Sequence, residues 1–138
     1  MTAPLVPELD VTDLDLSLAF YCDVLGFVIR YARPEERFAY LQRDGAELML
    51  EEAAGPGRRF RTAALEPPFG RGMNLQIRVA DAGALCRKAA AAQARIVVDL
   101  EDRWYRRAED EVGNRQFVVA DPDGYLLRFY EDLGARPA

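Results

Sequence analysis

Histidine is absent from these 138 residues. That one zero removes Ser-His-Asp and Cys-His catalysis, imidazole acid–base chemistry near neutrality, and the commonest side-chain metal ligand. Cysteine is scarce too: Cys22 and Cys86 are too far apart for a CxxC metal site and too few for a disulfide framework. As small apolar residues on helices they need no further role. No run approaches the roughly 20 apolar residues of a membrane-crossing helix. There is no basic tail, and the net charge is -5 with a pI of about 4.8. That balance argues against nucleic acid and anionic membrane, and favours cationic partners. The opening "MTAPLVPELD" lacks the basic and long apolar parts of a secretory signal, so a cytoplasmic location is expected.

What is present is a chain that should fold: 50% apolar and 10% aromatic residues, of a length suited to a single domain spanning 1–138. It also says the same thing twice. "LDVTDLDLSLAFYCDVLGF" and "IRVADAGALCRKAAAAQA" both read as strand, V-x-D, helix, with Asp13 and Asp81, 68 residues apart, as helix N-caps. In the first helix Leu18, Cys22 and Leu25 are expected on one inner face, with Gly26 closing the helix; in the second, Leu85, Ala89 and Ala92. Then "FAYLQRDGAELMLEE" (38–52) parallels "FVVADPDGYLLRFYE" (117–131), each an apolar strand, an Asp-Gly turn and an apolar strand ending in glutamate. The second copy carries extra residues, placed as an inserted loop around "DLEDRWYRRAEDEVGN".

The expected fold class is α+β: two tandem βαβββ modules, 4–52 and 73–132, joined by a Gly/Pro/Arg-rich linker, 53–72, whose arginines are read as solvated. Strand side chains alternate, so one face of each sheet meets its helix and the other is free to differ. On the free faces fall Val6, Glu8 and Asp10; Glu47, Met49 and Glu51; Asn74, Gln76 and Arg78; and Leu126, Arg128 and Tyr130. Antiparallel sheets often have one wet face, but Val6, Met49, Leu126 and Tyr130 suit a ligand cleft better than water.

On "VTDLDLSLAFYCDVLGF", "FAYLQRDGAELMLEE" and "GNRQFVVADPDGYLLRF", the chain resembles the vicinal-oxygen-chelate superfamily, and within it the glyoxalase/bleomycin-resistance group. The resemblance implies a glyoxalase-like fold with a cleft-bearing sheet and a homodimer that exchanges its N-terminal strand. Enzymes of the superfamily hold a divalent metal on four cleft strands. The matching positions here are Val6, Met49, Asn74 and Arg128, none of them a useful ligand, and Arg128 repels a cation. A carboxylate-only site from Glu8 and Glu51 is the remaining metal option. No cofactor is therefore expected, and the likeness points to the metal-free bleomycin-resistance proteins, which sequester drug without chemistry.

A cationic, bleomycin-type glycopeptide suits an acidic cleft with aromatic faces. The expected ligand-binding residues are Phe38, Tyr40, Met49, Glu51, Glu8, Asn74, Gln76, Trp104, Tyr105, Arg128 and Tyr130. Bleomycin binders sandwich the drug between an aromatic on the third strand, matched by Phe38, and one before R-x-F, where this chain has Gly113; Trp104 and Tyr105 are the substitutes the inserted loop offers. Glu8 or Glu51 is the expected salt-bridge partner of Arg128 or Arg78. Two other readings stay open: a cofactorless lyase, isomerase or hydrolase using Glu8 or Glu51 beside Arg128, and a protein-interaction module.

Overall fold

The structure is a computed structural model describing residues 1–138. The chain forms two compact units, Met1–Phe69 and Gly70–Ala138. The first runs β1 (Glu8–Val11), α1 (Leu14–Leu18), β2 (Val28–Arg33), β3 (Phe38–Arg43) and β4 (Ala46–Glu52). The second repeats the order as β5 (Asn74–Arg78), α2 (Ala82–Ala91), β6 (Arg95–Arg107), β7 (Asp110–Ala120) and β8 (Leu126–Pro137). Each builds one four-stranded sheet, ordered β1-β4-β3-β2 and β5-β8-β7-β6. The outer pairs β1/β4 and β5/β8 are parallel and the rest antiparallel. β1 lies in register beside β4 of its own chain, Glu8 opposite Met49.

Both V-x-D aspartates cap their helices. Asp13 Oδ1 accepts from the Leu16 N–H at 3.1 Å and Asp81 Oδ1 from the Ala84 N–H at 2.9 Å. The glutamates after the Asp-Gly turns also act here. Glu52 Oε2 accepts from the Leu14 N–H at 3.0 Å and Glu131 Oε1 from the Ala82 N–H at 3.1 Å, tying each helix start to its central strand, at the last residue of β4 and midway along β8.

The helix faces differ from the expectation. After Leu18 the first helix widens into a π-helical turn, Ala19–Val24, where the Leu25 N–H bonds back to the Phe20 carbonyl at 3.1 Å. The extra residue per turn shifts the stripe, so Leu14, Ser17, Tyr21 and Leu25 are buried while Leu18 and Cys22 are only partly covered. In α2 Leu85 and Ala89 are buried, but Ala92 is exposed because the helix ends at Ala91. Burial, aided in Cys22 by neighbouring Asp23, pushes both thiols above their ordinary range, in keeping with unreactive packing residues.

Leu9, Val11, Ala39, Leu41, Leu48 and Leu50 form the inner face of the first sheet; Ile77, Phe117, Val119, Leu127 and Phe129 form that of the second. The Phe117 and Phe129 rings stack at 5.6 Å.

The insertion is not a loop. It lengthens β6 and β7 into a hairpin of 13 and 11 residues, against 6 each for β2 and β3, and β8 runs alongside it to Pro137. Its charges are matched across strands: Arg115 with Asp102 at 2.9 Å, Arg107 with Asp110 at 2.9 Å, Arg136 with Glu111 at 2.9 Å. Trp104 and Tyr105 therefore stand on β6 and point to opposite faces. Trp104 lies across Gly113, with the Arg136 guanidinium 4.0 Å from its ring centroid. A β-carbon at Gly113 would come within 2.8 Å of the indole.

Gly113→Ala is therefore expected to displace Trp104 and cost about 1–3 kcal/mol. Since Trp104 is the sole tryptophan, a change in near-UV circular dichroism and a red-shifted emission should accompany the lowered urea midpoint. An unchanged spectrum would contradict this packing.

Candidate functional site

The face of the first sheet away from α1 carries Glu8, Asp10, Phe38, Tyr40, Glu47, Met49 and Glu51, as alternation predicts. Phe38 and Tyr40 are nonetheless only 2% exposed. The Tyr31 ring stacks on Tyr40 at 4.9 Å and the Arg33 guanidinium lies 3.9 Å above the Phe38 centroid. Both aromatics are covered by the chain's own side chains and offer no open stacking surface in this structure. The Tyr40 hydroxyl donates to Glu47 Oε1 at 2.7 Å, where Arg30 Nη1 also donates at 2.7 Å, while the Ala3 N–H reaches Oε2 at 2.6 Å. These donors, the Tyr40 hydroxyl foremost, hold the Glu47 carboxyl below the usual carboxylate range.

Asp10 and Glu51 are matched from an unexpected source. Residues after β4 fold back over the sheet, and Arg59, its side chain only 9% exposed, lies 3.4 Å from Glu51 and 3.7 Å from Asp10. Its shortest bond is to the Glu52 carbonyl, at 2.7 Å from Nη2. Arg61 Nε pairs with Asp10 at 2.9 Å. A β-carbon at Gly57 would come within 2.4 Å of the Arg59 guanidinium, so this bend is built around the buried arginine. The linker arginines are thus partly structural cations, not simply solvated. Glu51 finds Arg59, not Arg128 or Arg78, as its counterion. Burial pushes the Glu51 carboxyl up, Arg59 opposes that, and neighbouring Glu8 and Asp10 push it further up.

On the corresponding face of the second sheet a cavity of about 440 Å³ opens, lined by Gln76 from β5, Tyr105 from β6, Val112 and Asn114 from β7, and Arg128, Tyr130 and Asp132 from β8. Every strand contributes. Gln116, buried on β7, organises one wall: its Nε2 lies 2.6 Å from the Tyr105 hydroxyl and donates to Glu101 Oε2 at 3.2 Å, while Asn114 Nδ2 donates to its Oε1 at 3.4 Å. Arg128 Nη2 donates to Gln76 Oε1. The Arg128 Nε is covered and has no acceptor, and the residue makes no ion pair.

Of the residues expected from sequence, the second module brings together Gln76, Tyr105, Arg128 and Tyr130 at this cavity. Glu8, Phe38, Tyr40, Met49 and Glu51 share the first-module face. Asn74 is exposed at the start of β5, and Trp104 lies on the opposite side of β6 from Tyr105. Val112, Asn114, Gln116 and Asp132 were not anticipated, although alternation through "EVGNRQF" marks Val112, Asn114 and Gln116 as sharing one face. The donor set does not fit a divalent ion: no three His, Cys, Asp or Glu side chains converge, and Glu51 already faces Arg59. No helix is long and apolar enough to cross a membrane.

Two acid–base expectations follow. Because the Glu47 carboxyl is depressed, its contribution to stability is present above the ordinary carboxylate pKa and lost as pH falls through the lower folded value. Glu47→Gln should thus unfold more readily than wild type near neutrality, with the gap in urea midpoint closing in acid. Arg59→Ala removes the one influence that lowers Glu51, and should cost about 1–3 kcal/mol at neutral pH. That loss should shrink as pH falls and Glu51 protonates, and adding Glu51→Gln should recover part of it. A pH-independent loss would refute the pairing.

A profile of the Glyoxalase/Bleomycin resistance protein/Dioxygenase superfamily matches residues 6–129. Proteins named bleomycin resistance protein, from Geobacillus stearothermophilus and from Staphylococcus aureus, are 29% identical to this chain, covering 93% of it and 96% of their own length. Among solved structures, TioX from Micromonospora sp. ML1 superposes with a TM-score of 0.75 at 25% identity, covering 95% of this chain and 99% of that one. A protein of unknown function from Agrobacterium tumefaciens str. C58 gives 0.68 at 28% identity, covering 96% of each. With the doubled βαβββ architecture and a match across nearly its whole length, this chain belongs to the glyoxalase/bleomycin resistance protein/dioxygenase superfamily.

Proposed function

We propose that this protein is a metal-free small-molecule binder of the bleomycin-resistance kind, which sequesters an amphipathic ligand in the second-module cavity. The observation that carries the reading is the composition of that cavity: two tyrosines, two amides, a valine, an arginine and an aspartate, drawn from all four strands. Such a lining offers apolar area and a few placed polar groups, which is what binding without chemistry requires. The bleomycin-resistance relatives support a binding role, and Arg128 at the metal-ligand position supports metal independence.

We further propose that the protein acts as a homodimer in the cytoplasm. The edge strands β2 and β6 each expose apolar side chains, Val28, Ile29 and Tyr31 on one and Val97, Val98 and Leu100 on the other. Two such edges in one small chain are liabilities unless covered, and a second copy covers them economically. Light scattering is expected to return twice the 15.5 kDa chain mass.

Calorimetric titration with bleomycin tests the ligand reading in its narrow form. Trp104 fluorescence is the wrong reporter, because the indole lies away from the cavity. Bleomycin held by its flat apolar part, with its cationic groups kept outside the cavity and away from Arg128, should give heat at micromolar drug, weakened by about 1–3 kcal/mol in Tyr105→Ala or Tyr130→Ala where those rings stack on it. Absence of heat at high micromolar concentration would exclude bleomycin as the ligand.

A further inference from the structure

The chemistry around Arg128 points to the kind of head group the cavity takes. A guanidinium carries five N–H donors, and here one is committed, to the Gln76 amide oxygen. The Nε is covered without an acceptor, and no carboxylate lies within ion-pairing distance. A half-buried cation in that condition has lost water without a full replacement, and gains most from an acceptor brought by a ligand. Asp132, the acid lining the same cavity, stands four residues along β8 and forms no ion pair with Arg128. Glu101 is held by Gln116.

The first module makes the contrast. Where the second sheet has Gln76, Arg128 and Tyr130, the first has Glu8, Met49 and Glu51, and the cations beside its acids are the chain's own Arg59 and Arg61. The acidic face already has its cations; the open face has a cation lacking its anion.

We propose that the second-module cavity binds an aromatic carboxylate, with the carboxylate on Arg128 and the ring against Tyr105 and Tyr130. This rests on the reading that the cavity is the ligand site. The planar guanidinium fork suits a carboxylate, which can accept two N–H groups at once, and the tyrosines supply flat apolar area beside it. An ammonium or guanidinium head group would instead meet Arg128 as a like charge.

Three probes with one ring system separate the possibilities: 2-naphthoate, 2-naphthamide and 2-naphthylmethylammonium, titrated calorimetrically into the full chain. Naphthoate should bind at least about tenfold more tightly than the other two, the margin expected of a charge-assisted paired hydrogen bond. Arg128→Gln should remove that margin while leaving naphthamide nearly unchanged, and Arg128→Lys should restore only part of it. In wild type, the ¹⁵N-resolved Arg128 side-chain N–H signal should shift on adding naphthoate, a readout independent of whether the variants fold. Equal affinity for all three probes, or naphthoate binding that ignores Arg128→Gln, would overturn the carboxylate assignment and leave the cavity as the ligand site. If neither bleomycin nor any of the three binds, the cavity reading itself falls, and the carboxylate with it.

Discussion

In both halves of this chain a glutamate on a central strand accepts a hydrogen bond from the first turn of the module's helix: Glu52 from Leu14 and Glu131 from Ala82. The electrostatic gain of a carboxylate at a helix N-terminus is modest, about 0.3–1 kcal/mol at an exposed site. Its geometric consequence is larger. The bond pins the helix start to one point on that strand, so the helix must cross one face of the sheet, and the other face is released from packing. In the first module Arg37 reinforces the joint, donating to Glu52 at 2.8 Å and to Asp15 at 3.2 Å. The acidic face of the first module and the cavity of the second both lie on the released sides.

The two released faces have since gone different ways. The first is compensated from within: Glu47 collects Tyr40, Arg30 and the Ala3 N–H, and Arg59 and Arg61 return from the linker to Asp10 and Glu51. Charges so paired have little left to offer a ligand, and the Arg59 side chain that meets them is itself covered. The second face keeps a cavity and an arginine tied only to an amide. A repeat fold can afford this division, because one copy of the free face is enough for a site.

Much of this was legible in the sequence. The V-x-D caps, the Asp-Gly turns and the alternation through "NLQIRV" and "ELMLE" are local signals, and each is observed where it was read. What escaped depends on partners far along the chain. "DLEDRWYRR" looks like a charged loop because its carboxylates and guanidiniums are matched only across the hairpin, Asp102 with Arg115 and Glu111 with Arg136. Arg59 looks solvated because the acids it meets are eight and more residues back. The inner face of the first helix was misread because a π-helical turn changes the period that such a reading assumes.

The most instructive miss is a single residue of register. Aligning the repeats on their Asp-Gly turns sets Phe38 beside Phe117, yet the ladders disagree: Tyr40 faces Met49, while Val118 faces Arg128. Since Met49 and Arg128 are equivalent, β7 is displaced by one residue, and a one-residue slip exchanges the faces of a strand. The structural counterpart of Phe38 is therefore Gln116, opposite Tyr130 as Phe38 is opposite Glu51. Where the first module places a covered aromatic, the second places a buried amide that binds Tyr105 and leaves room beside Arg128. That exchange of a ring for an amide clears space at the same strand position, and the arginine beside it makes the cleared space suited to an anion.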